Sequence, residues 1–414
     1  MLVAAWGVGR DVSREGHFHP VMVFSFFSFL IVLVDLTWMV VYLGDEVPFF
    51  AYTMPVAPDD VLVLAREQVT LFVATYAGYL LVRGVAGRES ERAEPGRGSF
   101  LDPLWPFVYL IGVGSLLAII LSSGGFSELL ANLNAKSERA AGRGELVLLQ
   151  YFAYAGVLMW YRKNLWRPAP LRYGGLIALC APMLLSGSRV GLLICLVAAL
   201  YMDEKAGNRM DLRLLVTGGA VLALFFAFYQ AFRTGKDLEL FFALYKDLSM
   251  GTGYVVAVQE GIVGDAVRPG MLVQTVTPFI PTEIERLFYS TPNPNDVLTD
   301  HLFPDTKSTL SMGVMGEANF MLPSGWSFLY YLGVGVVLAW IGSFGWRWSL
   351  LLSAMVAGGA IRIAKSGFTT GGANILEFAA PVLLAYAAVL AVRVLSRRRK
   401  ASGRGLEAGT GGLP

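Results

Sequence analysis

Apolar residues in this chain arrive in repeated blocks of about 17 to 25, the length an α-helix needs to cross roughly 30 Å of hydrocarbon. That pattern replaces the counting of soluble domains with the counting of membrane spans. Spans are expected near 21–44, 67–83, 103–122, 146–161, 213–232, 325–343, 349–361 and 376–394. The block 173–202 is too long for one crossing and is bordered by basic residues on both sides, Arg162, Lys163, Arg167 and Arg172 before it and Lys205, Arg209 and Arg213 after it. Basic short loops mark the cytoplasmic side, so this block is expected to cross twice. Each arm then has about 13 residues, roughly 20 Å at 1.5 Å per residue, and the turn at Ser186-Gly187-Ser188-Arg189 sits below the outer membrane surface.

Ten crossings follow, with both termini cytoplasmic. Of the 33 Lys and Arg, 20 fall in segments assigned to the cytoplasm, which is the asymmetry that orients polytopic proteins. The chain divides into N-terminal spans over 1–232, including the short hairpin at 173–202, then an outer loop over 233–324 and C-terminal spans over 325–396. A basic, Gly-rich cytoplasmic tail expected to be disordered occupies 397–414. Composition agrees, because 55% of the 414 residues are hydrophobic and only 15% charged, against about 25% charged in an ordinary soluble domain. No cleavable signal peptide is expected at the first apolar run. The outer loop, acidic overall, has amphipathic runs at 238–248 and 254–263 and prolines at 278, 281, 292 and 294. Short helices over the mouth of the bundle are expected there, since ordered loops of this length usually bind or cover something.

Several function classes drop out. Cys180 and Cys195 both lie within apolar blocks, so neither is expected to form a disulfide or join a metal site. Histidine occurs only at 17, 19 and 301, and no phosphate-binding glycine motif follows a strand-like run. Nothing points to nucleic acid.

Cations on the outer half carry the chemistry, because an arginine at bilayer depth costs at least about 2.5–3.5 kcal/mol and normally faces a cavity or a partner. Arg189 stands at the hairpin tip, with Ser186 and Ser188 beside it. Arg139 and Arg143, with Lys136, form a second outer group. Arg233 follows the aromatic end, Phe225 to Phe232, of the span 213–232, and Arg362 and Lys365 lie at the outer end of the span that begins near 349. Converging from distant spans, these cations make a site for a strongly anionic group, and the planar guanidinium fork fits phosphate oxygens. A membrane-embedded pyrophosphate is the natural ligand. His301 and Glu317, in the outer loop, are candidates for the base that a glycosyl transfer needs. The absence of an Asp-x-Asp pair makes a metal-dependent transfer less expected.

Taken together, the Ser186-Gly187-Ser188-Arg189 hairpin, the aromatic span ending in Arg233 before a long loop, and the Ser311 to Phe320 segment resemble the Wzy-type O-antigen and oligosaccharide repeat-unit polymerases. Those proteins belong to the bacterial envelope and are relatives of the O-antigen ligases. The resemblance implies an all-α, GT-C-like membrane glycosyltransferase of the inner membrane that needs no cofactor. It would transfer a growing glycan from undecaprenyl pyrophosphate to the next lipid-linked repeat unit, alongside membrane lipids and a chain-length regulator. Arg189 and Arg233 would hold the donor pyrophosphate, with Arg143 or Arg362 assisting. The rival readings are an O-antigen ligase, told apart by transfer to a lipid A core, a transporter or flippase for anionic lipid-linked glycans, and a scaffold subunit of an export complex.

Overall fold

The computed structural model describes residues 16–49, 52–86, 101–122, 125, 144–185, 189–208, 249–263, 294–302, 311–323, 325–343 and 349–407. The expected span 213–232 and the amphipathic run 238–248 lie outside them. The described residues are helical almost throughout. In order the helices are α1 (Pro20–Val41), α2 (Pro58–Ala86), α3 (Trp105–Ser122), α4 (Gly144–Lys163), α5 (Ala169–Leu185) and α6 (Arg189–Lys205). They are followed by α7 (Met250–Gln259), α8 (Pro294–Leu302), α9 (Gly313–Met321), α10 (Ser327–Ser343) and α11 (Ser349–Glu407). A two-stranded antiparallel hairpin, β1 (Glu46–Phe49) and β2 (Tyr52–Pro55), joins α1 to α2 with Glu46 opposite Pro55, a feature the hydropathy pattern did not announce.

Four helical segments are long and apolar enough to cross a membrane: Pro20–Val41, Pro58–Val85, Asp102–Ser122 and Leu350–Val392. Ala169–Leu184 and Ser327–Ser343 are shorter apolar helices. Large apolar side chains such as Phe26, Leu33, Phe107, Leu110 and Leu121 are exposed on the bundle surface. A water-soluble protein would bury them, whereas lipid accepts them. The described residues thus form a mostly helical bundle whose apolar surface suits a membrane.

α11 is two arms. Gly367 has φ 84° and ψ 170°, which breaks the helix. A Cβ added at Gly371 would lie 2.6 Å from the Ile363 backbone, and one at Gly359 would lie 2.2 Å from the Ile375 side chain. Residues eight and sixteen apart touch in this way only if the helix folds back on itself, because along a straight helix they would stand about 12 and 24 Å apart. The spans expected at 349–361 and 376–394 are the two arms, and helix rather than loop fills the interval up to the Gly367 tip. The second arm also runs on through Glu407, so the expected disordered tail is helical over 397–407. Arg, Lys and Ala are good helix formers, and a basic run complements the negative end of a helix dipole.

Glycine sets the closest helix contacts. Gly112 and Gly156 let α3 and α4 touch through backbone, a Cβ at Gly112 landing 2.0 Å from Ala153 N and one at Gly156 landing 2.7 Å from Tyr109. Gly78 and Gly335 do the same for α2 against α10. Close approach through small residues is how helices associate when lipid removes the hydrophobic drive.

Two apolar cores result. One gathers α1, α2, α7, α8, α9 and α10 with Val356, Ala360, Ile361, Ile363 and Ala364 of the first arm. The other gathers α3, α4, α5 and α6 with Leu351, Ala354, Met355 and Ala357 of the first arm and Phe378, Ala379 and Val382 of the second. The first arm is therefore the partition, with one face in each core. Cys180 and Cys195, neither expected to form a disulfide, lie as free thiols against each other where α5 meets α6, fully buried.

Two acids, buried Asp203 and partly exposed Glu204, tie the bundle at the end away from Gly367. Asp203 accepts from Tyr161 (2.8 Å), Tyr173 (2.6 Å), Arg172 (3.0 Å) and Asn208 (3.0 Å), joining α4, α5 and α6. Its neighbour Glu204 accepts from the Phe18 backbone N–H at 2.9 Å and pins the approach to α1.

Candidate functional site at the folded helix

The tip of α11 is held by residues from three other helices. Glu317, on α9 and 1% exposed, places its carboxyl at the start of the second arm. Oε1 accepts from the Thr369 backbone N–H at 2.9 Å and from the Tyr330 hydroxyl at 2.6 Å. Oε2 accepts from the Thr369 hydroxyl at 2.8 Å. The Tyr330 hydroxyl in turn accepts from Phe368 N–H at 2.9 Å. The first N–H groups of a helix have no internal partners, so Glu317 and Tyr330 supply what the break at Gly367 leaves unmet. Any Cβ at Gly367 would overlap the Glu317 carboxyl, and glycine alone adopts such a φ without strain.

The first arm's last carbonyls are met as well. Ser311 Oγ donates to Lys365 O at 2.8 Å, and Asn295 Nδ2 reaches Ser366 O at 3.5 Å while its Oδ1 accepts from Met312 N–H at 2.9 Å. Burial pushes the Glu317 carboxyl up to about 7, against the pull of its hydrogen bonds from Tyr330 and Thr369. Enclosed this way, Glu317 holds the loop on the hairpin and does not present itself to a substrate.

A second buried acid performs the same task one element away. Asp35, fully buried in α1, accepts from Gly251 N–H at 2.7 Å and from the Thr252 hydroxyl at 2.6 Å, capping the N-terminus of α7. Sequence reasoning missed Asp35, although a lone acid in an otherwise uncharged apolar run was a visible signal.

His301, near the end of α8, is 47% exposed, and its Nε2 stands 3.0 Å from Glu260 Oε2 just past α7. The carboxylate orients the ring and leaves Nδ1 to the surroundings, a pairing the sequence did not reveal because 41 residues separate the partners.

Below the tip, Arg362 of the first arm and Glu377 of the second act on each other and on Tyr151 of α4, whose hydroxyl addresses the Glu377 carboxyl. Arg362 Nε and Glu377 Oε2 are both buried without a hydrogen-bond partner. Tyr151 and Tyr154 each lie 5.0 Å from Phe378, ring centre to ring centre.

Arg189 opens α6. Gly358 stands against the Ile194 carbonyl, and the Tyr201 hydroxyl meets Ser353, so α6 runs antiparallel to the first arm. Extending that register puts position 189 level with Arg362 and Ile363. The bundle therefore brings Arg189, Arg362 and Lys365 to one end. It seats Glu317 and His301 over the neighbouring core, linked to those cations through the tip. Ser186, Ser188, Arg139, Arg143 and Arg233 lie outside the described residues. Among the described residues, no group of three or more His, Cys, Asp or Glu is placed to hold a metal ion. Set against known protein families, curated proteins and solved structures, the chain matches nothing in any of the three.

Proposed function

We propose that this chain is a membrane glycosyltransferase that lengthens a lipid-linked glycan. It moves the growing chain from undecaprenyl pyrophosphate to the next lipid-linked repeat unit on the outer face of a bacterial inner membrane. In this reading the chain crosses the membrane ten times: α1 to α6, the span 213–232, α10 and the two arms of α11. Both termini are cytoplasmic, and α7 to α9 lie over the outer mouth.

One observation carries the proposal. Arg362, partly buried between helices, keeps its Nε–H out of solvent and unmatched, and a second arginine opens the adjacent helix at the same level. A guanidinium whose Nε–H is shut away from water without an acceptor is costly unless an anion completes it, and two arginines at one level suit the two phosphates of a leaving pyrophosphate. During transfer the bond between the donor's anomeric carbon and the phosphate oxygen breaks. The acceptor hydroxyl forms the new bond and gives up its proton. Arg189 and Arg362 take the charge of the departing pyrophosphate, and His301, aligned by Glu260, is assigned the proton.

The test is transfer by purified protein given only undecaprenyl-pyrophosphate-linked repeat units, with a chelator present and products resolved by length. A ladder of lengthening glycans is the expected result. Its absence with folded protein sinks the polymerase, and transfer to an added lipid A core alone replaces it with the ligase. Arg362→Lys should recover little of the activity lost in Arg362→Ala, because an ammonium cannot reproduce the fork.

A further inference from the structure

Glu377 has no part in holding a pyrophosphate, yet it stands in the same interior as Arg362. A carboxyl there would repel a bare anion. It survives burial only where donors reach it, and its Oε2 has none. The group that completes both orphans at once must offer an acceptor oxygen to Arg362 and a hydroxyl donor to Glu377. Beside them Tyr151, Tyr154 and Phe378 form a continuous aromatic wall. A mostly aromatic lining with a few converging polar groups is how proteins seat small organic ligands, and aromatic faces suit the C–H faces of sugar rings.

We propose that Arg362, Glu377, Tyr151 and the Phe378 ring form a saccharide subsite that receives the sugar next to the pyrophosphate, with Glu377 accepting a ring hydroxyl and Tyr151 fixing the carboxyl. The subsite rests on the polymerase reading for its lipid carrier but makes a separate claim, that the site reads sugar and not phosphate alone. Glu377 is a positioning and specificity residue here. The folded arms explain why the subsite exists: Arg362 and Glu377 are fifteen residues apart in sequence and share one interior because the helix turns back at Gly367.

Binding to detergent-purified protein would be measured with two probes, undecaprenyl pyrophosphate and the same lipid carrying one N-acetylhexosamine. Wild type should bind the sugar-bearing lipid more tightly. In Glu377→Gln that preference should fall by about tenfold, the size of one charged hydrogen bond, with affinity for the bare lipid retained. Tyr151→Phe should lose part of the preference, and it supplies the same reading should Glu377→Gln fail to fold. Equal weakening for both probes, or no weakening, overturns the subsite while leaving the pyrophosphate reading in place. Full recovery of both affinities in the exchanged pair Arg362→Glu with Glu377→Arg, which only a structural ion pair would allow, overturns the subsite and also removes Arg362 from the pyrophosphate site. Wild type that binds neither lipid removes the polymerase reading itself and the subsite with it.

Discussion

Glu317 shows how one carboxyl sets conditions for a whole segment. Its folded-state value, raised by burial to about 7 from the ordinary 4.5, means that the native state favours the protonated acid. The associated stability is fully present below about pH 4.5, where the unfolded acid is also protonated, and is lost as pH rises towards 7. Glutamine mimics the neutral acid, so Glu317→Gln should melt close to wild type at pH 4.5 and increasingly above it towards pH 7. Thermal unfolding in detergent at several pH values checks this. Gly367→Ala should lower the melting point at every pH, since a left-handed φ costs a non-glycine residue about 1–3 kcal/mol and the added methyl overlaps Glu317. At this scale the sequence was partly legible. Arg362 and Lys365 were visible as cations in an expensive place. Glu377 was not singled out because it stands at the border of an apolar run, where a carboxyl passes for an interfacial residue. Tyr151 is indistinguishable from any core aromatic until Glu377 is seen beside it. Gln68, 1% exposed with both amide atoms unmatched, serves no site described above. Gln68→Leu should therefore raise the melting point by removing an unmet polar group worth about 1–3 kcal/mol.

Helices and their joints were legible to different degrees. Apolar length announced where helices exist, because hydrocarbon demands it. Their ends went unread. A span was expected to stop at Arg362 because a charge usually marks the interface, but the helix continues to Gly367, where backbone geometry and not polarity ends it. α2 begins at Pro58, nine residues before its expected start, since Asp59 and Asp60 favour the positive end of a helix and Asp60 Oδ2 accepts the Ala57 N–H at 2.8 Å. The seating of α7 depends on Asp35, and its loss would take the acceptor from the buried Gly251 N–H at a cost of about 1–3 kcal/mol. Asp35→Ala should make the 250–259 region sensitive to protease in detergent while the bundle stays intact. Glycine contacts are less forgiving. Gly112→Leu should separate α3 from α4 and abolish folding, visible as loss of the monodisperse species.

Across the whole molecule, sidedness is the property most open to direct test. A cysteine placed at Thr53, exposed in the β-hairpin, should react with a membrane-impermeant maleimide on cells whose outer membrane has been permeabilised. One placed at Arg167, exposed between α4 and α5, should react only once the inner membrane is opened. Cys180 and Cys195 are fully buried and should stay silent in both. Reversed labelling would invert the orientation and remove the outer-face site. The partition of the bundle by the first arm of α11 could not be read from hydropathy, which registers that a segment is apolar but not which neighbours share it. The joint at Gly367 also limits how the protein can be dissected. The second arm starts on donors satisfied by Glu317 and Tyr330, and the first arm ends on carbonyls met by Ser311 and Asn295. A trimmed chain lacking residues 249–321 would keep most of the helices assigned to the membrane, yet open the fold that gives Arg362 and Glu377 a common interior. The segment 249–321 is in that sense a keystone, and no core trimmed of it can stand in for the whole protein.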